Sequence, residues 1–164
     1  MSELIKNGAL QSINSPETDF GFTYWSYMIP YFKPKTMLVL GSGWRTIEKL
    51  TKKIWGSDIE IFNVDNEDYG QLAVMDAFKA IDICEITFDF VVVDLFNGPE
   101  IPEQLWNKEV WAKLRKMTTR ALAINIWSKD MEKLLLSSND YFNEELVKVL
   151  NENRIVFLKP YGIK

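Results

Sequence analysis

The chain has 164 residues, 47% of them hydrophobic and 26% charged, the composition of one globular domain with a buried core rather than of a disordered or fibrous protein. It holds no histidine and a single cysteine, Cys84, so the usual zinc sets, haem ligation, Ser-His-Asp or Cys-His triads and an internal disulfide are excluded by counting. The 19 basic and 23 acidic residues leave a net charge of -4, and no basic run is longer than a pair such as Lys52-Lys53, which disfavours non-specific nucleic-acid binding.

No stretch approaches the roughly 20 apolar residues needed to span a bilayer, and the Ser2-Glu3 start lacks the basic and then apolar order of a signal peptide. The chain therefore reads as cytoplasmic, with no membrane partner. No repeat, low-complexity tract or Gly/Ser linker divides it. The expectation is a single domain over 1–164, with 1–34 as an N-terminal cap segment and 35–164 as an α/β core.

The first clear element is Met37 to Leu40, an apolar run introduced by Lys33-Pro34-Lys35 and ended by Gly41-Ser42-Gly43, which reads as a buried parallel strand. Ile47, Leu50 and Ile54 then recur at helical spacing, predicting a helix over 44–55 with Gly56 as its stop. A second strand, Ile59 to Val64, ends in the acids Asp65, Glu67 and Asp68. The next segment has two readings. Either 71–75 is a short strand reached by a tight loop, or 67–83 is one helix carrying Leu72, Met75, Phe78 and Ile81 at steps of three.

Phe88 to Phe96, with Val91-Val92-Val93 between Asp89 and Asp94, has the pattern of a central strand buried on both faces. Pro102 marks a helix start, and Trp106, Val110, Leu114 and Met117 form its apolar stripe. Ala121 to Trp127 reads as another buried strand. From Asn139 a cap, the early acids Glu144 and Glu145, and the stripe Phe142, Leu146, Val149 and Leu150 predict a second helix. Ile155 to Leu158 closes the chain as a strand. The alternation gives an α/β class: a doubly wound, mostly parallel Rossmann-like sheet of about six strands with helices on both faces.

Gly41-Ser42-Gly43 falls where strand meets helix, at the carboxyl edge where open α/β sheets bind ligands. Glycine lets a ligand approach the backbone, and the following helix offers unpaired amides. A carboxylate that takes ribose hydroxyls is expected about 20 residues later, and Asp65 fits, with Asn63 as the other candidate. Asp94 ends the central strand beside the glycine turn, where a carboxylate accepts a hydrogen bond from an amine or a proton from a nucleophile. The same residues also suit a tight turn without a ligand and a solvated or capping Asp. Phe96-Asn97-Gly98-Pro99 is first of all a turn.

Phe88 to Phe96, preceded by Met75-Asp76-Ala77-Phe78 and followed by Asn125-Ile126-Trp127, resembles the spermidine synthase-like branch of class I S-adenosylmethionine-dependent methyltransferases. Met37 to Gly43 is similar to that branch's glycine-rich first motif, which often lacks the acid two positions before the first glycine; that position is Val39 here. The resemblance spans roughly 35–158. It implies S-adenosylmethionine as cofactor, with Gly41, Ser42 and Gly43 facing its methionine moiety and Asp65, or else Asn63, on its ribose. It places Asp76 on the adenine amine with Ala77 beside it, although a helix N-cap suits Asp76 equally well. It also implies that Asp94 engages the substrate as the catalytic residue and that Tyr24 to Ile29 form a helix covering the pocket.

Departures from the pattern carry their own expectations. Arg45 replaces the third glycine and would narrow the cofactor site, and Asn97 replaces the second acid expected three residues after Asp94, which weakens polyamine transfer. The helix between ribose acid and adenine acid has no room, and the chain ends where a final antiparallel strand would follow. Six tryptophans are many for this length; Trp25, Trp44 and Trp127 fall near the crevice, and Trp106 and Trp111 share a helix but not a face. An exposed one would mark an interface, most simply a homodimer. The chain thus reads as a small methyltransferase-like transferase acting on a small molecule or a protein partner. A non-catalytic interaction module and an aminopropyltransferase are the alternatives.

Overall fold

The computed structural model describes residues 3–6, 9–13, 24–71 and 73–162. Strands β1 (Glu3–Lys6) and β2 (Ala9–Ile13) pair antiparallel and form a sheet of their own. The short helix α1 (Tyr24–Tyr27) follows. The main sheet has seven strands rather than about six: β3 (Thr36–Leu40), β4 (Glu60–Asp65), β5 (Ala73–Val74), β6 (Phe88–Val93), β7 (Thr118–Trp127), β8 (Phe142–Leu150) and β9 (Asn153–Pro160). Their order is β5-β4-β3-β6-β7-β9-β8. The first five run parallel, and β9 is antiparallel to both its neighbours.

The strands form where the sequence is apolar without interruption. Val91, Val92 and Val93 are all fully buried because successive side chains enter opposite faces of a sheet covered on both sides. Each such side chain contributes roughly 1.5–3 kcal/mol of transfer free energy. On one face Met37, Val39, Ile47, Leu50, Phe90, Val92 and Phe157 pack with α1 and α2 (Thr46–Trp55). On the other, Leu38, Leu40, Val91, Val93, Leu122 and Ile124 pack with α3 (Ala77–Ile83), α4 (Lys108–Met117) and α5 (Met131–Ser138).

The helix termini follow local chemistry. Asp76 Oδ1 accepts from Phe78 N at 2.9 Å and Lys79 N at 3.0 Å, starting α3, and Asn107 Oδ1 accepts from Glu109 N at 2.9 Å, starting α4. The turn of 3₁₀ helix at Glu103–Trp106 begins directly after Pro102. Between β4 and β5 the chain takes the first of its two readings: a two-residue strand reached through residues 66–72, with α3 starting only at Ala77. Leu72 lies outside the described residues. Among the described residues no crossover helix lies between β4 and β5, and polar bonds tie the loop instead. Tyr69 N donates to Gln71 Oε1, Gly70 N donates to Asp68 Oδ1 and Arg45 Nη1 donates to Gly70 O, each at 2.8–2.9 Å.

Two expectations are corrected at the C-terminal side. The helix expected from Asn139 is strand β8, paired with β9 from Phe142 opposite Pro160 to Leu150 opposite Asn153, with one shift of register between Glu144 and Leu146. Asn151 stands at φ 51 in the two-residue turn between them. Phe142, Leu146, Val149 and Leu150 satisfy a helical stripe, but the register with β9 decides the backbone. The helix is instead Met131–Ser138, and β9 is the antiparallel strand expected to be missing. None of the six tryptophans is exposed; Trp25 and Trp111 are buried and the other four half-buried, so the argument for a homodimer from an exposed indole finds no support.

Candidate functional site

The order of the sheet reverses between β3, whose chain continues outward through β4 and β5, and β6, whose chain continues through β7. Beyond the carboxyl ends of these strands lies a cavity of about 520 Å³. This is the position at which open α/β sheets bind ligands. Gly41, Gly43, Asp65, Asp76, Ala77 and Asp94 all line it, as do Tyr24, Asn66, Tyr69 and Asn97.

Gly41 sits at φ 81, and a Cβ there would meet the backbone oxygen of Asp94 at 2.1 Å. The glycine is required by both conformation and contact. Asp94 N donates to Leu40 O at 2.9 Å, which brings the ends of β6 and β3 together. Gly43 N donates to Asp65 Oδ2 at 2.9 Å and Glu67 N to Asp65 Oδ1 at 3.2 Å. Each oxygen of Asp65 thus holds one backbone donor and keeps acceptor capacity toward the cavity. Asp76 caps α3 through Oδ1, as expected, and also lines the cavity.

Three expectations change here. Asn63 is buried and turned toward α2, its Nδ2 donating to Glu48 Oε2 at 2.7 Å, so of the two candidates only Asp65 lines the cavity. The Ser42 side chain is buried and its hydroxyl finds no partner, while its backbone N bonds Val64 O; only the flanking glycines reach the cavity. Arg45 does not narrow the site, because its guanidinium reaches Gly70 O and lies 3.6 Å from Glu48 Oε2. Trp44 does not line the cavity either, and Trp25 is in the core.

Asp94 is the most perturbed carboxyl of the site. It is 8% exposed, and burial raises its pKa from the ordinary aspartate value to about 7, while hydrogen bonds from Asn125 and Tyr24 work in the opposite direction and the charge of Asp65 adds to the rise. Asn125 Nδ2 donates to Asp94 Oδ1 at 3.0 Å, and Asn153 Nδ2 donates in turn to Asn125 Oδ1 at 2.8 Å. The Tyr24 hydroxyl is pushed well above its usual range by burial and the Asp94 charge, so it stays protonated and donates to that carboxylate. Tyr69 is held protonated in the same way by burial and by Glu67.

Asn97 heads a turn closed by its N–H to Glu100 O at 2.8 Å, and it does not provide the second acid of an amine-gripping pair. Trp127 holds this turn, its Nε1 donating to Pro99 O at 2.7 Å and its ring meeting Phe96 edge-on at 5.4 Å. A second cavity of about 400 Å³, walled by Trp106 and Trp127, adjoins the first through Asn97 and Pro102. The sequence reading singled out Asp94 but gave no role to Asn125 or Asn153. Their only signal was the Asn125-Ile126-Trp127 string, which carries no information on the partner across the sheet.

No family model matches the chain, and no curated protein matches it in sequence. Solved structures do match in shape. A putative S-adenosylmethionine-dependent methyltransferase from Streptococcus mutans superposes with a TM-score of 0.67 at 11% identity, over 96% of this chain and 55% of that one. The ribosomal protein L11 methylase of Lactobacillus delbrueckii subsp. bulgaricus gives 0.62 at 14% identity, over 79% and 72%, and the PH0226 protein of Pyrococcus horikoshii OT3 gives 0.61 at 13%, over 79% and 82%. At these identities the similarity is one of fold. The chain has the Rossmann-like fold of class I S-adenosylmethionine-dependent methyltransferases, and among the described residues no helix is long and apolar enough to cross a membrane.

Proposed function

We propose that the chain binds S-adenosylmethionine at the carboxyl edge of β3, β4 and β6 and transfers its methyl group to a small-molecule or protein acceptor. The observation that carries this reading is the composition of the cavity wall. Three carboxylates, Asp65, Asp76 and Asp94, converge there, and among the described residues no Lys or Arg lines it. Such a wall suits a cofactor with a sulfonium and an ammonium group and opposes phosphate-bearing acceptors. When bound, the cofactor supplies a methyl group already activated at sulfur, so the protein's part is positioning.

In this reading Gly41 and Gly43 give backbone access to the methionine end. Asp65 uses its remaining acceptor sites for the ribose hydroxyls, and Asp76, with Ala77 beside it, stands at the adenine end. Asp94, poised near neutrality, holds the acceptor and takes its proton. The finer resemblance to the spermidine synthase-like branch rests on the motifs alone. Asn97 in place of a second acid argues against aminopropyl transfer. A non-catalytic interaction module is the second reading, favoured by the two-residue β5, but it loses the support expected from Arg45.

The test is calorimetric titration with S-adenosylmethionine, S-adenosylhomocysteine and decarboxylated S-adenosylmethionine, on the wild type and on Asp65→Ala. The expected result is binding of the first two in the micromolar range, weakened by the substitution. No heat with any ligand at millimolar concentration overturns the enzyme reading. Preference for the decarboxylated form redirects it to aminopropyl transfer.

A further inference from the structure

Behind Asp94 lies a row of side chains that cavity lining alone does not explain. Asp94, Asn125 and Asn153 belong to β6's end, β7 and β9, which are adjacent in the sheet. The two hydrogen bonds run in one direction, Asn153 Nδ2 to Asn125 Oδ1 and Asn125 Nδ2 to Asp94 Oδ1. Asn125 is buried, so its amide has few other partners. A primary amide has a donor end and an acceptor end, and rotating it by half a turn exchanges them. With the N–H toward Asp94, Asn125 stabilises the ionised carboxylate; with the C=O toward Asp94, it requires the carboxyl to hold its proton.

We propose that Asn153 is a positioning residue that fixes the Asn125 amide with its N–H toward Asp94 and thereby keeps Asp94 in the state that accepts a proton. A donor at Asn125 Oδ1 is satisfied in only one of the two orientations of that amide, so with Asn153 in place the row reverses only if both amides turn together, whereas without it Asn125 turns alone. The remaining groups that face Asp94 are the Tyr24 hydroxyl from α1 and, through space, the Asp65 carboxylate at the end of β4. Among the described residues no cation lines this wall, so the two donors are what favours the ionised form against burial. The proposal deepens the reading of Asp94 as the proton acceptor and rests on it for its functional meaning. The relay itself is testable without any substrate.

The experiment follows the Asp94 carboxyl by ¹³C NMR of aspartate-labelled protein from pH 4 to 9, with its resonance assigned by Asp94→Asn. In Asn153→Ala the midpoint is expected to rise by about one unit, because the Asn125 amide becomes free to rotate and the carboxyl retains its proton longer. Asn125→Leu removes the donor itself and raises the midpoint at least as far. In the double variant the two shifts do not add, because Asn153 acts through Asn125. An unchanged midpoint in Asn153→Ala, or full additivity in the double variant, overturns the proposal. If Asn125→Leu fails to fold, the second reading is the side-chain amide of Asn125 in Asn153→Ala. Loss of its protection from hydrogen exchange supports the relay, and unchanged protection overturns it. Absence of S-adenosylmethionine binding refutes the proposed function and leaves this titration intact, so the two ideas fail separately.

Discussion

The two flanks of the sheet are built differently, and the cavity straddles them. On the β4–β5 side the sheet ends in a strand of two residues, with Val74 51% exposed and the loop before it closed by polar bonds among Tyr69, Gln71, Asp68 and Arg45. On the β7–β9–β8 side the strands run ten, eight and nine residues, and the core beneath them holds fully buried Trp111, Leu122 and Phe157. The carboxylates follow the same division. Asp65 stands on the lightly packed flank, held by two backbone N–H groups, and Asp94 faces the dense one, held by a side-chain row. A recognition group that meets hydroxyls works well in a half-open setting, whereas a group that changes protonation near neutrality needs burial and fixed donors.

The sharpest contrast is in stability. Trp111 is fully buried, donates from Nε1 to Leu105 O at 2.8 Å and meets Phe142 edge-on at 5.8 Å, so Trp111→Ala is expected to cost about 3–5 kcal/mol in chemical denaturation. A loss below about 1 kcal/mol would show that the dense flank is not where stability resides.

The next largest effect depends on pH. Asp94 titrates near 7 in the folded chain and near the ordinary 3.8 when unfolded, so the native state binds more protons across that window. Its contribution is fully present below pH 4 and is lost as the pH rises through 7. Relative to wild type, Asp94→Asn should therefore gain stability on going from pH 4 to pH 8, by up to about 4 kcal/mol. A flat difference between the two unfolding curves would mean that Asp94 is not held protonated by burial.

At the junction of the flanks, Gly41→Ala places a methyl against the Asp94 carbonyl in a left-handed backbone, and a loss of about 3 kcal/mol in thermal unfolding is expected. On the lighter flank, Asp65→Ala is expected to weaken S-adenosylmethionine at least about tenfold by titration, with a loss of stability of only about 1 kcal/mol from the freed Gly43 and Glu67 N–H groups. Val74→Ala should change stability by less than about 0.5 kcal/mol, since the side chain is half in water. A large effect at Val74 would put a partner on that edge.

The sequence carried the dense centre of the fold well, because Val91 to Val93 and Met37 to Leu40 are continuous apolar runs that only doubly covered strands explain. It failed where two periodicities coincide. Phe142, Leu146, Val149 and Leu150 suit a helix as well as a strand, and the pairing with β9 is information the segment itself does not contain. Helix α5 escaped notice because only Leu134 of its three consecutive leucines is buried, so there is no apolar stripe to read. At the site, Gly41, Gly43, Asp65, Asp76 and Asp94 were legible because each stands at the end or start of an element. Asn63 was misread because it stands inside β4, covered by α2 and bonded to Glu48, whereas Asp65 ends the strand at the cavity's edge. Asn125 and Asn153 were invisible because residues separated by 28 positions meet only through the order β6-β7-β9.

Strand β9 lies between β7 and β8 although it follows both in the chain. During synthesis, β8 emerges with no neighbour to join, and the edge of β7 stays open until β9 has followed it. The hairpin must then enter as a unit, with Asn153 at its leading corner. A nascent or proteolytically clipped chain that lacks it would already hold the glycine turn and all three carboxylates, but not the amide row behind Asp94. Pairing of β9 with β7 and completion of the side-chain row behind Asp94 are thus one event.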